Sequence, residues 1–148
     1  MFPKVKTVLA RLKSERQIKL GLAPNVGSRT IDEALPRLRL DDLFEIVITR
    51  NDVEMLKPSG EGIRISLGKL GAVNSDVLFS GDSITAVLGA KDAGVKVAIV
   101  QGGESAPTSL VAASPEYLWD AIEELLTLCT GGEPIEKPKQ IKDSCFGR

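Results

Sequence analysis

The spacing of apolar residues alternates along the chain between a helical and a strand-like pattern. Val5, Val8, Leu9 and Leu12 recur at the three- and four-residue intervals of one helix face. The apolar run 18–23 that follows is short and is closed by a proline, which is typical of a strand that leads into a loop. This alternation predicts parallel strands joined by helices.

The same patterns predict the remaining elements. We expect a helix capped by Ser28 or Thr30, with Ile31, Leu35 and Leu38 inward and a break near Pro36, and then a strand at 46–48. A helix face of Ile63, Leu67 and Leu70 follows, before a strand at 77–80, a helix at 84–93 that stops at Gly94 and a strand at 95–100. The last predicted helix begins at Ser114-Pro115, with Leu118, Ile122, Leu125 and Leu126 buried. Four nearly continuous apolar strands, each followed by a helix, predict an α/β fold, a Rossmann-like three-layer sandwich with a mostly parallel sheet.

Composition limits the classes of function. With 148 residues and 43% hydrophobic side chains, the chain can form one domain with its own core, which we expect at 1–129, before a poorly ordered tail at 130–148. The net charge of −1 and the 4% of aromatic residues argue against nucleic acid as a partner. No apolar stretch is long enough to cross a membrane, so we expect a cytoplasmic protein.

The supply of reactive side chains is also limited. The sequence contains no histidine, so the usual general base of Ser-His and Cys-His catalysis is missing. Cys129 and Cys145 lack the spacing of metal ligands and are expected to be a buried helix cysteine and a tail thiol. The chemistry therefore has to come from carboxylates, amines and amides.

Two segments carry a chemical signature of that kind. Residues 80–86, Ser-Gly-Asp-Ser-Ile-Thr-Ala, place Asp82 directly after an apolar strand, and residues 52–58, Asp-Val-Glu-Met-Leu-Lys-Pro, place Lys57 before a proline. The two segments resemble the metal loop and the lysine segment of the haloacid dehalogenase superfamily. Leu-Asp-Asp-Leu-Phe at 40–44 and Ile-Lys-Leu-Gly-Leu at 18–22 are similar to phosphoglycolate-phosphatase-like members.

The resemblance implies a two-step phosphoryl transfer on a small phosphorylated ligand. In the superfamily one aspartate attacks phosphorus, a second aspartate two residues later handles the proton, and Mg²⁺ bridges phosphate and carboxylates. The implied roles are catalysis for Lys57 and Asp82, phosphate binding for Lys57 and Mg²⁺ coordination for Asp82. These roles are chemically reasonable, because oxygen ligands suit Mg²⁺ and a fixed ammonium offsets charge in the transition state. Asn25, with the amides that follow it, is a further candidate for phosphate binding at a helix N-terminus.

The sequence departs from the superfamily pattern at three points. The apolar strand that ends in Asp-x-Asp-x-Thr and carries the nucleophile does not occur, and neither Asp41-Asp42 nor Asp143 follows a suitable strand. Pro24 occupies the place of a Ser or Thr that binds phosphate, and it has no hydroxyl and no N–H. Ala86 replaces an acid found in many members, so we expect Mg²⁺ binding to be weak or absent.

The missing strand is, by the same resemblance, the central nucleophile strand of the sheet. Unpaired strand edges invite pairing with another chain, so we expect a homo-oligomer or a strand-donating partner. Three interpretations remain open. The chain is a superfamily core that is inactive by itself, a Mg²⁺-dependent phosphomonoester hydrolase completed by an upstream segment or a second subunit, or a non-catalytic module that binds a phosphorylated ligand or acts as a scaffold.

Each candidate residue also has a purely structural interpretation. Asp82 can be a loop carboxylate that caps the helix after it, and Lys57 can be a solvated lysine at a helix start. Asn25 can belong to a plain strand-to-helix turn. Without a nucleophile to serve, Lys57 is expected to form an ion pair with Asp82.

Overall fold

The protein is described by a computed structural model, which covers residues 4–103 and 105–129. Within these ranges the α-helices are α1 (Val5–Arg16), α2 (Ser28–Leu38), α3 (Glu61–Leu70), α4 (Ile84–Ala93), α5 (Pro107–Ala112) and α6 (Glu124–Cys129). The strands are β1 (Gly21–Leu22), β2 (Ile46–Val47), β3 (Leu78–Gly81), β4 (Lys96–Val100) and β5 (Tyr117–Trp119). Short 3₁₀ turns lie at Arg50–Asp52 and Asn74–Asp76. No helix in the described ranges is long and apolar enough to span a membrane.

Strand β4 is the centre of the larger sheet, and it pairs in parallel with β3 on one side and with β5 on the other. Its side chains alternate between the two faces of the sheet. Val97 and Ile99 pack with α3, α4 and α5, whereas Ala98 and Val100 pack with α1 and α6. This part of the molecule therefore has the predicted three layers, with helices on both faces of parallel strands.

A smaller parallel sheet contains β1 and β2, with Gly21 opposite Ile46 and Leu22 opposite Val47. Helix α3 joins the two sheets, since it contacts β1 and β2 on one side and α4 on the other. Its residues Ile63 and Leu67 belong to the core of the larger sheet. The two sheets are thus held together by helix packing, with no hydrogen-bonded strand pair recorded between them in the described residues.

Between β1 and β3 lies a cavity of about 1240 Å³, which we call the slot. Its walls are residues 20–23 at β1, residues 77–81 at β3, and apolar side chains of α1, α2, α3 and α6. Within the described residues, β1 and β3 each pair with another strand on one edge only. The interruption of the sheet that the resemblance implied is found at this place.

The helix predicted to begin at Ser114-Pro115 is wrong in its start, although Leu125 and Leu126 do lie in a helix, α6. Ser114 does not begin a helix; it follows α5 with a φ of 52°, and the chain then enters strand β5. Leu118, expected on a helix face, pairs with Ile99 of β4. The helical spacing of Leu118 and Ile122 was overridden because the β-favouring residues Tyr117, Leu118 and Trp119 complete the edge of the sheet. The described chain therefore has five strands instead of four.

Helix α2 also differs from its prediction. It begins at Ser28 with Gly27 as the capping residue, and neither Ser28 nor Thr30 caps it. Pro36 is followed by only two more helical residues, so the predicted late break is confirmed. Leu38 is 40% exposed rather than inward, because it lies beside the open slot. The expected tail at 130–148 lies outside the described residues.

Candidate active site at the mouth of the slot

The lysine loop, residues 53–58, connects the 3₁₀ turn after β2 to helix α3. Glu61, in the first turn of α3, accepts hydrogen bonds from the backbone N–H groups of Glu54 and Met55, each at 2.9 Å. Asn25 holds the other end of the loop: its Oδ1 accepts from the N–H of Lys57 at 3.2 Å, and its Nδ2 donates to the carbonyl of Lys57 at 3.3 Å. The loop is therefore fixed by two side chains from outside it.

The side chain of Lys57 crosses the mouth of the slot. Its Nζ donates a hydrogen bond of 2.6 Å to the carbonyl of Ala23, which follows β1, and lies 5.5 Å from the ring centroid of Phe79 in β3. Its methylene stem passes Gly89 of α4, where a Cβ atom would lie 3.0 Å from Lys57 Cγ. The amine thus contacts both strands that border the slot.

Burial lowers the pKa of Lys57 below its ordinary value of 10.5, and the negative charge of Asp82 opposes that shift. The desolvation effect is the larger of the two. The ion pair expected between the two residues is not found among the salt bridges of the described residues. Lys57 uses the carbonyl of Ala23 instead, because this acceptor lies directly at the end of β1.

Asp82 is the first residue after β3, and its neighbour Ser83 is the N-cap of α4, accepting a hydrogen bond from the N–H of Ala86 at 3.3 Å. The cap of α4 is therefore Ser83, so the prediction that Asp82 caps this helix is wrong. The loop after β4 packs on the carboxylate: a Cβ atom at Gly103 would lie 2.7 Å from Asp82 Oδ2. Only a glycine leaves this approach open.

The carboxyl ends of β1 and β3 lie at the same end of the slot. Ala23 and Asp82 follow these two strands, and both act on the amine of Lys57. Ligands of parallel sheets bind at this end of the strands. Lys57 and Asp82 both line the slot, and the charge of Asp82 reaches the amine although no ion pair joins them. Asn25 is also nearby, but its amide is bonded to the backbone of Lys57; its role in phosphate binding stays a prediction.

The described residues contain no cluster of three or more His, Cys, Asp or Glu side chains that could hold a metal ion. Ala86, at the place of a second acid, is 3% exposed and belongs to the core. Asp82 can thus offer one carboxylate to a metal, and further oxygen ligands have to come from elsewhere.

Sequence reasoning missed the glycines that make room for the site. Gly89 admits the stem of Lys57, and Gly103 admits Asp82. Ser105 was missed as well; its Oγ accepts a hydrogen bond of 3.2 Å from the N–H of Ile84 at the start of α4. A glycine inside a helix is an available signal for Gly89, because glycine costs stability there unless something packs closely.

Comparisons with known proteins agree with this arrangement. A family model described as haloacid dehalogenase-like hydrolase matches residues 1–100. Pyrophosphatase PpaX from Bacillus cereus (strain AH820) is 31% identical over 110 residues, which cover 74% of this chain and 51% of that protein.

Solved structures are similar as well. A haloacid dehalogenase superfamily hydrolase of subfamily IA from Geobacter sulfurreducens has a TM-score of 0.74 and 28% identity, covering 86% of this chain and 60% of its own. A proposed beta-phosphoglucomutase from Thermotoga maritima has a TM-score of 0.77 and 31% identity, covering 86% and 59%. The chain thus spans about half the length of the curated relative and three-fifths of these structures. On the match to 100 of its 148 residues, the chain belongs to the haloacid dehalogenase-like hydrolase family.

Proposed function

We propose that this chain is the phosphate-binding part of a Mg²⁺-dependent phosphohydrolase and is inactive without a segment that brings the nucleophile. Its substrate is a small phosphorylated compound, and the name of the relative PpaX makes pyrophosphate the first anhydride to test. The observation that carries the proposal is the amine of Lys57, fixed between Ala23 and Phe79 at the mouth of the slot and within the field of Asp82.

The position of Lys57 suits the stabilisation of a phosphoryl group. An ammonium held in a partly desolvated place interacts more strongly with an anion than one in bulk water does. Because the backbone of Lys57 is already fixed by Asn25, little reorganisation is needed when charge develops in the transition state. Lys57 would therefore bind and orient the phosphoryl oxygens.

Mg²⁺ is the cofactor that phosphatases of this superfamily generally use, and it would neutralise charge on the phosphoryl group. In this chain Asp82, the first residue after β3, would be the carboxylate that holds it. Since the described residues offer no cluster of ligands, we expect weak Mg²⁺ binding by the chain alone. Stronger binding requires carboxylates from the segment that completes the site.

The slot supports a strand as the completing element. Its volume of about 1240 Å³ exceeds the ~300–1,000 Å³ of ordinary small-molecule pockets. Two parallel strands border it, and each has an edge without a strand partner in the described residues. We propose that an upstream segment or a second subunit fills it. In the second case the protein is a homo-oligomer or the acceptor of a strand-donating partner.

We further propose that the protein is cytoplasmic and has neither nucleic acid nor a membrane as partner. Cell fractionation would test the location.

Hydrolysis of p-nitrophenyl phosphate and of pyrophosphate with Mg²⁺ tests the proposal. The chain alone should show no turnover above its Asp82→Asn variant. The same chain extended at its N-terminus by a linker and an apolar strand ending in Asp-x-Asp-x-Thr should hydrolyse at least one substrate. Lys57→Met or Asp82→Asn in that extended protein should abolish the activity. Turnover by the unextended chain that Asp82→Asn removes would show that the nucleophile is already present.

A non-catalytic binding role is the second candidate. It is favoured by Pro24 and Ala86, which stand at two functional positions of the family and can supply neither a hydroxyl nor a carboxylate. In this case inorganic phosphate should raise the unfolding temperature of the chain, and Lys57→Met should cancel the effect. The extended protein should then remain inactive on both substrates. Activity of the extended protein would reject this candidate.

A further inference from the structure

Both main-chain polar groups of Lys57 are bonded to one side chain, that of Asn25. The amide accepts from the N–H of Lys57 at 3.2 Å and donates to its carbonyl at 3.3 Å. A carboxylate in the same place could accept but not donate, and a glutamine would be one methylene too long. The side-chain amide of Asn25 thus forms with the backbone of Lys57 the two hydrogen bonds that a neighbouring strand would form.

We infer that Asn25 is a positioning residue, which places the amine of Lys57 between Ala23 and Phe79. It lies three residues after β1, so it ties the lysine loop to the strand whose end the amine contacts. The inference concerns where the amine lies; only the use of that amine rests on the proposed function.

The properties of the Lys57 side chain explain why its backbone has to be held in place. A lysine side chain loses rotamer entropy when it is held in one conformation, and its ammonium favours water. Glu61 fixes the loop at residues 54 and 55, two or more residues before Lys57. Without Asn25 the backbone of Lys57 would lose both of its recorded hydrogen bonds, and the amine could turn out of the slot.

Asn51 provides a matched control. It lies in the 3₁₀ turn that precedes the lysine loop, and its Oδ1 accepts a hydrogen bond of 2.9 Å from the N–H of Ser28. Like Asn25, it is an exposed asparagine whose side chain ties a loop to another segment. Its contact does not involve Lys57. Asn51→Ala therefore removes a comparable side-chain-to-backbone hydrogen bond and leaves the two hydrogen bonds between Asn25 and Lys57 in place.

The test is the NMR signature of Lys57 in the full chain without substrate. In protein labelled with ¹³C-lysine and assigned with Lys57→Arg, the ε-methylene of Lys57 should show a ring-current shift and a nuclear Overhauser effect to Phe79. Asn25→Ala should abolish the Overhauser effect and move the shift to that of exposed lysines. Asn51→Ala should leave both unchanged.

An unchanged Lys57 signature in Asn25→Ala would overturn the inference, and so would an equal loss in Asn51→Ala. Should Asn25→Ala fail to fold, Asn25→Ser, which keeps a short polar side chain, takes its place with the same expectation. The readout involves no turnover, so failure of the proposed phosphohydrolase activity leaves it unaffected. Conversely, the extended protein could be active while Asn25→Ala leaves the ring-current shift and the Overhauser effect of Lys57 unchanged. That result would reject this inference and leave the proposed function standing.

Discussion

Strands β4 and β3 are neighbours in the larger sheet, and their apolar side chains are buried to different degrees. In β4 four of five residues are buried, and Val97, Ala98 and Ile99 have no measurable exposure. In β3 the apolar residues Leu78 and Phe79 are only partly buried. The difference arises because β4 has strand partners on both edges, whereas β3 borders the slot. Apolar sequence alone therefore does not determine burial.

The comparison separates stability from function within one sheet. The closed side around β4 contains most of the tightly buried side chains, in two clusters on opposite faces. The open side contains Lys57 and Asp82, the groups to which we assign a chemical role in the proposed function. Substitutions on the closed side should therefore affect unfolding, and those on the open side should mainly affect binding.

The largest contrast is expected between Ile99→Ala in β4 and Leu22→Ala in β1. Ile99 is fully buried, so its truncation should lower the free energy of unfolding by about 2–4 kcal/mol. Leu22 is half-buried and lines the slot, so its truncation should cost less than about 1 kcal/mol. Urea denaturation measures both. Equal losses would mean that β1 is covered in solution, for example by a partner strand.

A second contrast concerns the packing of α3 on α4, on the closed side. A Cβ atom at Gly60 would lie 2.6 Å from the backbone N of Ala93 and 2.7 Å from the carbonyl of Gly89. Gly60→Ala should therefore destabilise the protein by about 1–3 kcal/mol. Gly68, inside α3, has open space around it, so Gly68→Ala should stabilise by about 0.5–1 kcal/mol. Thermal unfolding of Gly60→Ala and of Gly68→Ala measures both effects. If Gly60→Ala leaves the stability unchanged, α3 and α4 are further apart in solution than in this structure.

Much of this arrangement follows from sequence, and the failures have physical causes. Helix α4 was predicted with its observed bounds, because Gly94 adopts the left-handed conformation that ends it. Asp82 and Lys57 were found from their motifs. Strand β5 was missed because Leu118 and Ile122 also fit a helix, and only pairing with β4 decides between the two.

The inferred role of Asn25 in positioning Lys57 could not be read from the sequence. Its contact with Lys57 joins residues 32 positions apart, and no local pattern specifies such a pair. Gly103 posed the same difficulty, because its function depends on what approaches it in space, whereas the position of Gly89 inside a helix offered a signal that was not used. Long-range contacts of single side chains therefore remain the part of the site that only a structure supplies.

A smaller effect is expected from Lys57→Met on the open side. Burial lowers the pKa of Lys57 below 10.5, so in the interval between the folded and unfolded values the unfolded chain binds more protons. This residue's contribution therefore makes the native protein more stable as the pH rises through that interval. The gap in the free energy of unfolding between Lys57→Met and the native protein should therefore shift in favour of the native protein as the pH approaches 10.5.

Chemical denaturation across that pH range measures the gap. Lys96 at the start of β4 is exposed, and Lys96→Met controls for the added apolar side chain. A gap for Lys57→Met that does not depend on pH would contradict the burial of the amine at the mouth of the slot.

The smallest effect is expected from Asp92→Asn at the end of α4. The N–H of Gly60, with Arg64, lowers the pKa of Asp92 below its ordinary value of 3.8. Its contribution to stability is therefore present above pH 3.8 and is lost as the pH falls through the folded-state value. Asp92→Asn should be slightly less stable than the native protein at pH 7, and the two should converge on acidification. Asp32→Asn, on α2, removes an exposed charge without this contact and serves as the control for net charge; if it behaves identically, net charge rather than the α3–α4 contact is the cause.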